Sequence, residues 1–228
     1  DVPPAMALGA ADSEELARAA GALTGVEARA VGIHMTLGPV LDVNSNPANP
    51  IINVRSFGGD PERVARIAAA WIEGARSAGL QTAGKHFPGH GDTEVDSHLG
   101  VATISGDSAR LASVELPPFQ QAIRAGMDGV LVGHIAVPAI DGPEAGPATL
   151  SPHIVTDLLR GRMDFDGLIV TDALNMGAIT ERYPVAEASL LALLAGADLL
   201  LQPPGTESVI EAIVQAVQGG RLPQEHLD

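Results

Sequence analysis

The chain has 228 residues, of which 46% are apolar and 18% charged, which is the composition of a folded globular protein with enough apolar material for a sizeable core. Its 28 acidic against 13 basic residues give a net charge of −15, a field that opposes binding to nucleic acid or to an anionic membrane surface. With no cysteine there is no disulfide framework, no thiolate metal site and no cysteine nucleophile.

In chain order, Asp12-Ser13-Glu14-Glu15 followed by alanine and leucine predicts a capped helix running to about Arg29. Val31 to Thr36 reads as a short strand that places His34 in the core, and it opens into Gly38 to Val43 and a long Asn/Pro-rich loop, Asn44 to Asn53. Asp60-Pro61-Glu62 starts the next helix with a cap and a proline at its first position, and Val64, Ile67, Ala68, Trp71, Ile72 and Ala75 give it one apolar face. Leu80 to Lys85 is a strand that runs straight into a loop. Ser108 to Ala125 is a helix that Pro117 and Pro118 should kink or divide. Asp128 to Gly133 is a strand ending at His134, and Gly167 to Thr171 is another ending at Asp172. Two helical stretches fill 173–196, Ala197 to Leu201 is a fifth strand, and Thr206 to Gln218 is a closing helix. His153 and His226 are expected to be exposed.

Strand, polar loop and helix repeat, which implies a parallel sheet with helices outside it. Each chemically interesting residue (Asp42, Lys85, His86, His134, Asp172) falls at the C-terminal end of a strand, where sites lie in (β/α)₈ barrels and in doubly wound sheets alike. No Gly-rich phosphate fingerprint follows any strand, which weakens the dinucleotide reading. A complete barrel takes ~250 residues and eight strands. The fold class expected is therefore an α/β (β/α)₈ TIM-type barrel, N-terminally incomplete, with residues 1–228 forming one partial domain.

The densest chemistry lies in Lys85-His86-Phe87-Pro88-Gly89-His90-Gly91-Asp92 and the following Asp96-Ser97-His98, where three histidines, two aspartates and the only lysine of the chain fall together. Proline and glycine break any regular element there, so the stretch is a loop on a rigid scaffold, the usual home of binding and catalytic groups. Asp96 and His98 are either a solvated loop pair or a carboxylate orienting an imidazole for acid/base work. Asp172 either caps the helix after it or serves as a nucleophile at the sheet mouth. Arg55 is a surface charge or a substrate-binding fork. A metal cluster drawn from His86, His90, Asp92, Asp96 and His98 is a further alternative that no helical HExxH spacing supports.

Lys85 to Gly91 with Asp96-Ser97-His98, together with Gly38 to Val43, Asn53 to Gly58 and Val170 to Met176, resembles the signature of family 3 glycoside hydrolases, in particular the β-N-acetylglucosaminidase branch. The resemblance implies a retaining double displacement on a carbohydrate substrate with terminal β-linked N-acetylglucosamine. It makes Asp172 the nucleophile and His98, paired with Asp96, the acid/base. Lys85, His86 and Arg55 would bind sugar hydroxyls, Asp42 would be structural, and His134 would line the pocket without a catalytic role. No metal or organic cofactor is implied.

The family's acidic, sugar-binding strand end is absent, and Asp1 to Gly9 looks like the segment that follows it. The first two β/α units are thus expected to be missing, leaving apolar sheet edges exposed. Two other classes stay open: a metal-dependent barrel hydrolase and a non-catalytic sugar-binding protein. Within the glycosidase reading, phosphate could replace water as the acceptor. No signal peptide or membrane span is visible, since Glu187 and Asp198 interrupt the most apolar stretch, so cytoplasmic and secreted locations are both open, as is oligomeric state.

Overall fold

Local sequence signals set the helix boundaries in the computed structural model, which describes residues 2–95 and 100–226. The Ser13 hydroxyl accepts the Leu16 N–H and starts the helix Glu14–Ala30, while the Asp60 carboxylate accepts the Arg63 N–H and starts Pro61–Ser77. All six apolar positions expected on the second of these helices are buried. The two helices pack very closely. A Cβ on Gly21 would collide with the Trp71 carbonyl, and one on Gly74 with the Arg18 carbonyl, so bare backbone at both positions sets the approach.

The strands are β1 (Met35–Thr36), β2 (Gln81–Phe87), β3 (Ala102–Thr103), β4 (Gly129–Val132), β5 (Ile135–Ala136) and β6 (Leu168–Thr171). Four of them form a parallel sheet in the order β1-β2-β4-β6, with Met35 opposite Gln81, Gly84 opposite Val130 and Val130 opposite Ile169. Each crossover carries a helix, the arrangement that the alternating pattern predicts. Pairing between β2 and β4 is irregular between Gly84 and Phe87, the stretch that contains Lys85 and His86. The β2 and β4 strands are largely buried, and helix side chains such as Ile67, Trp71, Phe119 and Leu159 share one core with Val130 and Ile169.

Several expectations are corrected. Ala197 to Leu201 is not a full strand, because it makes one parallel bridge, Val170 to Leu199, and then turns away as Leu201 N–H donates to the Thr171 hydroxyl. The strand expected from Val31 shrinks to Met35–Thr36, and His34 is exposed rather than core. Pro117 and Pro118 do not divide their helix. Residues 108–124 run on through a widened turn over Leu111–Glu115, in which the Leu116 N–H reaches the Leu111 carbonyl, and the prolines follow where the next helical segment begins. A small parallel pair, β3 with β5, and an N-terminal helix, Ala5–Ala11, have no counterpart in the sequence reading. Val31 and Ile33 are exposed beside β1, as is Leu199 at the opposite edge of the sheet.

Candidate active site

The site is built around a buried carboxylate. Asp42, fully buried after the Val40 bridge to Lys85, accepts the His86 N–H at 3.1 Å and the His90 N–H at 2.6 Å, and its Oδ2 lies 2.7 Å from His86 Nδ1. Burial alone would push this carboxyl up, but the charge of His86 and the hydrogen bonds from His86 and His90 outweigh it and hold the group below the usual carboxylate range. A carboxylate only accepts, so His86 donates its Nδ1–H to Asp42 and keeps Nε2 for other contacts.

His90 is also buried, and its ring stands edge-on to that of His86 with centroids 5.8 Å apart. Burial lowers its pKa, Asp42 opposes that effect and His86 reinforces it, so the neutral imidazole is favoured. The Lys85–His86 and Phe87–Pro88 peptides are both cis.

The loop is held from below by side chains that were not singled out in the sequence. Asn49 donates to the carbonyls of His90 (2.8 Å) and Thr93 (2.9 Å), while its own carbonyl accepts the Ile51 and Ile52 N–H groups. Gly91 lies so close to the Val43 carbonyl that any Cβ would collide with it. Arg110, from the helix, reaches Ser45 Oγ at 2.9 Å and Asp92 Oδ1 at 3.1 Å, and its Nε lies 3.3 Å from Glu115. Among the described residues neither oxygen of the buried Glu115 carboxylate has a partner that meets hydrogen-bond geometry. Desolvation raises its pKa, with Arg110 opposing.

Lys85 lies within β2, which runs on to Phe87 rather than ending at Lys85 as expected. Burial depresses its pKa, and among charged groups Arg55 depresses it further while Asp172 and Asp42 pull it back up, so these four residues share one electrostatic environment. Arg55 is exposed and donates to the Ile51 carbonyl from a single helical turn, Asn53–Arg55. Asp172 follows β6. Its N–H donates to the Val132 carbonyl and its carboxylate accepts the Ala173 N–H at 2.8 Å. It caps no helix, because the next helical turn begins only at Gly177.

His134 is buried beside Asp172, with Nδ1 2.9 Å from the Thr149 hydroxyl and Nε2 3.0 Å from the Ala173 carbonyl. The exposed His153 pairs with Asp157, and His226 is exposed.

Lys85 and His86 lie near the C-terminal end of β2 and Asp172 directly follows β6, and the charges of Arg55 and Asp172 both reach Lys85, whereas Asp96 and His98 lie outside the described residues. Among the described residues no three His, Asp or Glu side chains are arranged to hold a metal ion. His86, His90 and Asp92 instead point to three different partners: Asp42, Thr93 and Arg110. Asn49 could have been suspected from its Asn/Pro-rich loop. Arg110 and Glu115 carry no local signal, because their role depends on a helix meeting a loop some twenty residues away.

Helices outside a parallel sheet, with charged side chains near the strand ends, define an α/β protein whose site lies at the C-terminal ends of its strands, and the family match below makes it a barrel of the TIM type. Residues 1–228 match the family model described as the glycosyl hydrolase family 3 N terminal domain, and the chain belongs to that family. A solved glycoside hydrolase family 3 β-N-acetylglucosaminidase from Paenibacillus sp. str. FPU-7 superposes with a TM-score of 0.96 at 45% identity, covering 100% of this chain and 44% of that one.

Curated relatives include β-hexosaminidase A of Pseudoalteromonas piscicida, 36% identical over 222 residues (89% of this chain), and β-hexosaminidase LpqI of Mycobacterium tuberculosis, 40% identical over 213 residues (90% of this chain). The chain spans 37% of the length of the first and 54% of the second. Among the described residues no helix is long and apolar enough to cross a membrane.

Proposed function

We propose that residues 1–228 form a barrel domain of a retaining β-N-acetylhexosaminidase, which removes terminal β-linked N-acetylglucosamine from oligosaccharides or peptidoglycan fragments. The observation that carries this reading is the buried Asp42–His86 contact near the end of β2, next to a partly buried Lys85 that feels the charges of Asp172 and Arg55. The relatives of this family include β-hexosaminidases and a β-N-acetylglucosaminidase, which supports the amino-sugar branch.

In this reading an oxygen of Asp172 attacks the anomeric carbon as the bond to the leaving oxygen breaks, and His98, oriented by Asp96, protonates that oxygen. Water then attacks the same carbon, gives its proton to His98 and releases Asp172. Lys85, Arg55 and His86 supply fixed hydrogen-bonding groups for sugar hydroxyls, and the partial burial of Lys85 strengthens its contacts by excluding water. The reaction calls on no metal or organic cofactor.

The test is peptide mass mapping of the full-length protein after incubation with a fluorinated N-acetylglucosaminyl trapping reagent. An adduct on the peptide holding Asp172, lost in Asp172→Asn, is the expected result. A folded protein that forms no adduct and leaves an aryl β-N-acetylglucosaminide intact would end the glycosidase reading. Activity lost in chelator and restored by one ion would favour the metal hydrolase instead. Running turnover with and without inorganic phosphate identifies the acceptor.

A further inference from the structure

We infer that His134 is a positioning residue for Asp172, acting through the backbone of Ala173. This rests on the reading of Asp172 as the nucleophile. The imidazole is fully buried just beyond β4 and bridges two elements, with Nδ1 2.9 Å from Thr149 Oγ1 and Nε2 3.0 Å from the Ala173 carbonyl. A carbonyl can only accept, so Nε2 carries the proton and the tautomer is set by this contact. With Nε2 protonated, Nδ1 of the neutral ring accepts, so the single Thr149 hydroxyl proton goes to Nδ1 and Thr149 holds the ring from that side.

The segment that His134 grips has little other freedom. The Asp172 N–H donates to Val132 O at 2.9 Å, the Ala173 N–H donates to Asp172 Oδ1 at 2.8 Å, and the Leu174 N–H donates to Leu201 O at 2.9 Å. The Ala173 residue thus holds the Asp172 carboxylate with its N–H while its own carbonyl is held by His134. That carbonyl shares its planar peptide unit with the Leu174 N–H, so His134 and the Leu201 carbonyl pin this unit from both sides, and with it the Ala173 Cα from which the preceding unit, carrying the Ala173 N–H, runs back to Asp172. A nucleophile displaced by about 1 Å loses on the order of a hundredfold in rate, because attack needs the reacting atoms aligned. The imidazole therefore serves the geometry of the attacking group without touching the sugar.

Three variants of the full-length protein test this: His134→Phe fills the volume without a donor, His134→Gln restores a donor, and Thr149→Val removes the brace. Turnover of an aryl β-N-acetylglucosaminide is measured with the fraction of competent sites counted by the trapping reagent, so partial unfolding does not register as slow chemistry. The expected result for His134→Phe is a roughly 10- to 100-fold fall in kcat and in the adduct-forming rate per competent site, with KM changed by less than about threefold. His134→Gln should recover much of that loss, and Thr149→Val should show the same pattern more weakly. Should His134→Phe not fold, the other two variants decide, and wild-type rates per competent site in both overturn the inference. An active wild type with unchanged kcat in His134→Phe overturns it as well. A folded wild type with neither turnover nor adduct overturns the nucleophile reading and this inference with it.

Discussion

His86 Nδ1 lies 2.7 Å from Asp42 Oδ2, and both side chains are buried at the point where β2 turns into the histidine loop. The same carboxylate holds the His86 and His90 backbone N–H groups, so one side chain fixes both histidines. Removing one partner of such a buried pair leaves donors unsatisfied in low dielectric. We expect Asp42→Ala to lower unfolding stability by ~3–5 kcal/mol, and Asp42→Asn to lower it by less, since one oxygen can still accept. Urea unfolding with an unchanged denaturant slope would measure this. A loss below about 1 kcal/mol would mean that the pair is not what holds the loop.

Acid should loosen this region in two steps. His90 titrates below its ordinary 6.5 because burial disfavours its charged form, so the folded state binds fewer protons than the unfolded chain in the window just under 6.5. Its contribution is full above 6.5 and is lost as pH falls toward the folded value. Asp42 titrates below its ordinary 3.8, so its contribution is full above 3.8 and disappears only in stronger acid. Glu115 runs the other way: its raised pKa favours folding below 4.5 and costs stability as pH rises through the folded value. Urea midpoints should therefore fall as pH drops from neutrality below 6.5, and His90→Asn should flatten that slope. An identical slope in the variant would assign the acid sensitivity elsewhere.

What the sequence conveyed follows the range over which each signal acts. Ser13 and Asp60 cap their helices through residues three positions away, and the apolar face of Pro61–Ser77 is a local periodicity, so both are legible from a short window. Asp172 could be placed at a strand end and Lys85 near one for the same reason. The end of the Ala197 to Leu201 segment was not legible, because one parallel bridge and a Thr171 hydroxyl decide where pairing stops. His34 looked like core because strand pattern alone cannot tell an edge from a centre. The brace of Asn49, Arg110 and Glu115 under the loop is purely tertiary and left no trace in spacing.

The crossing of the first two long helices sets two known effects against each other. Replacing Gly74 by alanine should add up to about 1 kcal/mol of helix propensity. It would also drive a methyl group into the Arg18 carbonyl, and overpacking against backbone costs typically 1–3 kcal/mol, sometimes more. The clash is with main chain that is itself pinned inside a helix, so it should win. Gly74→Ala is expected to lower stability by about 2 kcal/mol, measured by thermal or urea unfolding. A stabilised variant would show that the helices can separate freely.

Arg110 joins two loops to one helix, and its partner Glu115 is a buried carboxylate that lies 3.3 Å from Arg110 Nε. Truncating either residue alone leaves the other charge poorly compensated, whereas replacing both with apolar groups of similar size removes the burial cost of Glu115 together with its partner. Arg110→Met should therefore cost ~1–3 kcal/mol, and the double variant Arg110→Met with Glu115→Leu should recover much of that stability. Recovery of stability should not restore the site, because Asp92 and Ser45 still lose the guanidinium that connects them to the helix. Turnover in the double variant is expected to remain severalfold below wild type while its unfolding midpoint approaches it. Strictly additive stability losses in the double-mutant cycle would show that Arg110 and Glu115 are not energetically coupled, and full turnover would show that Arg110 does not hold the loop for catalysis.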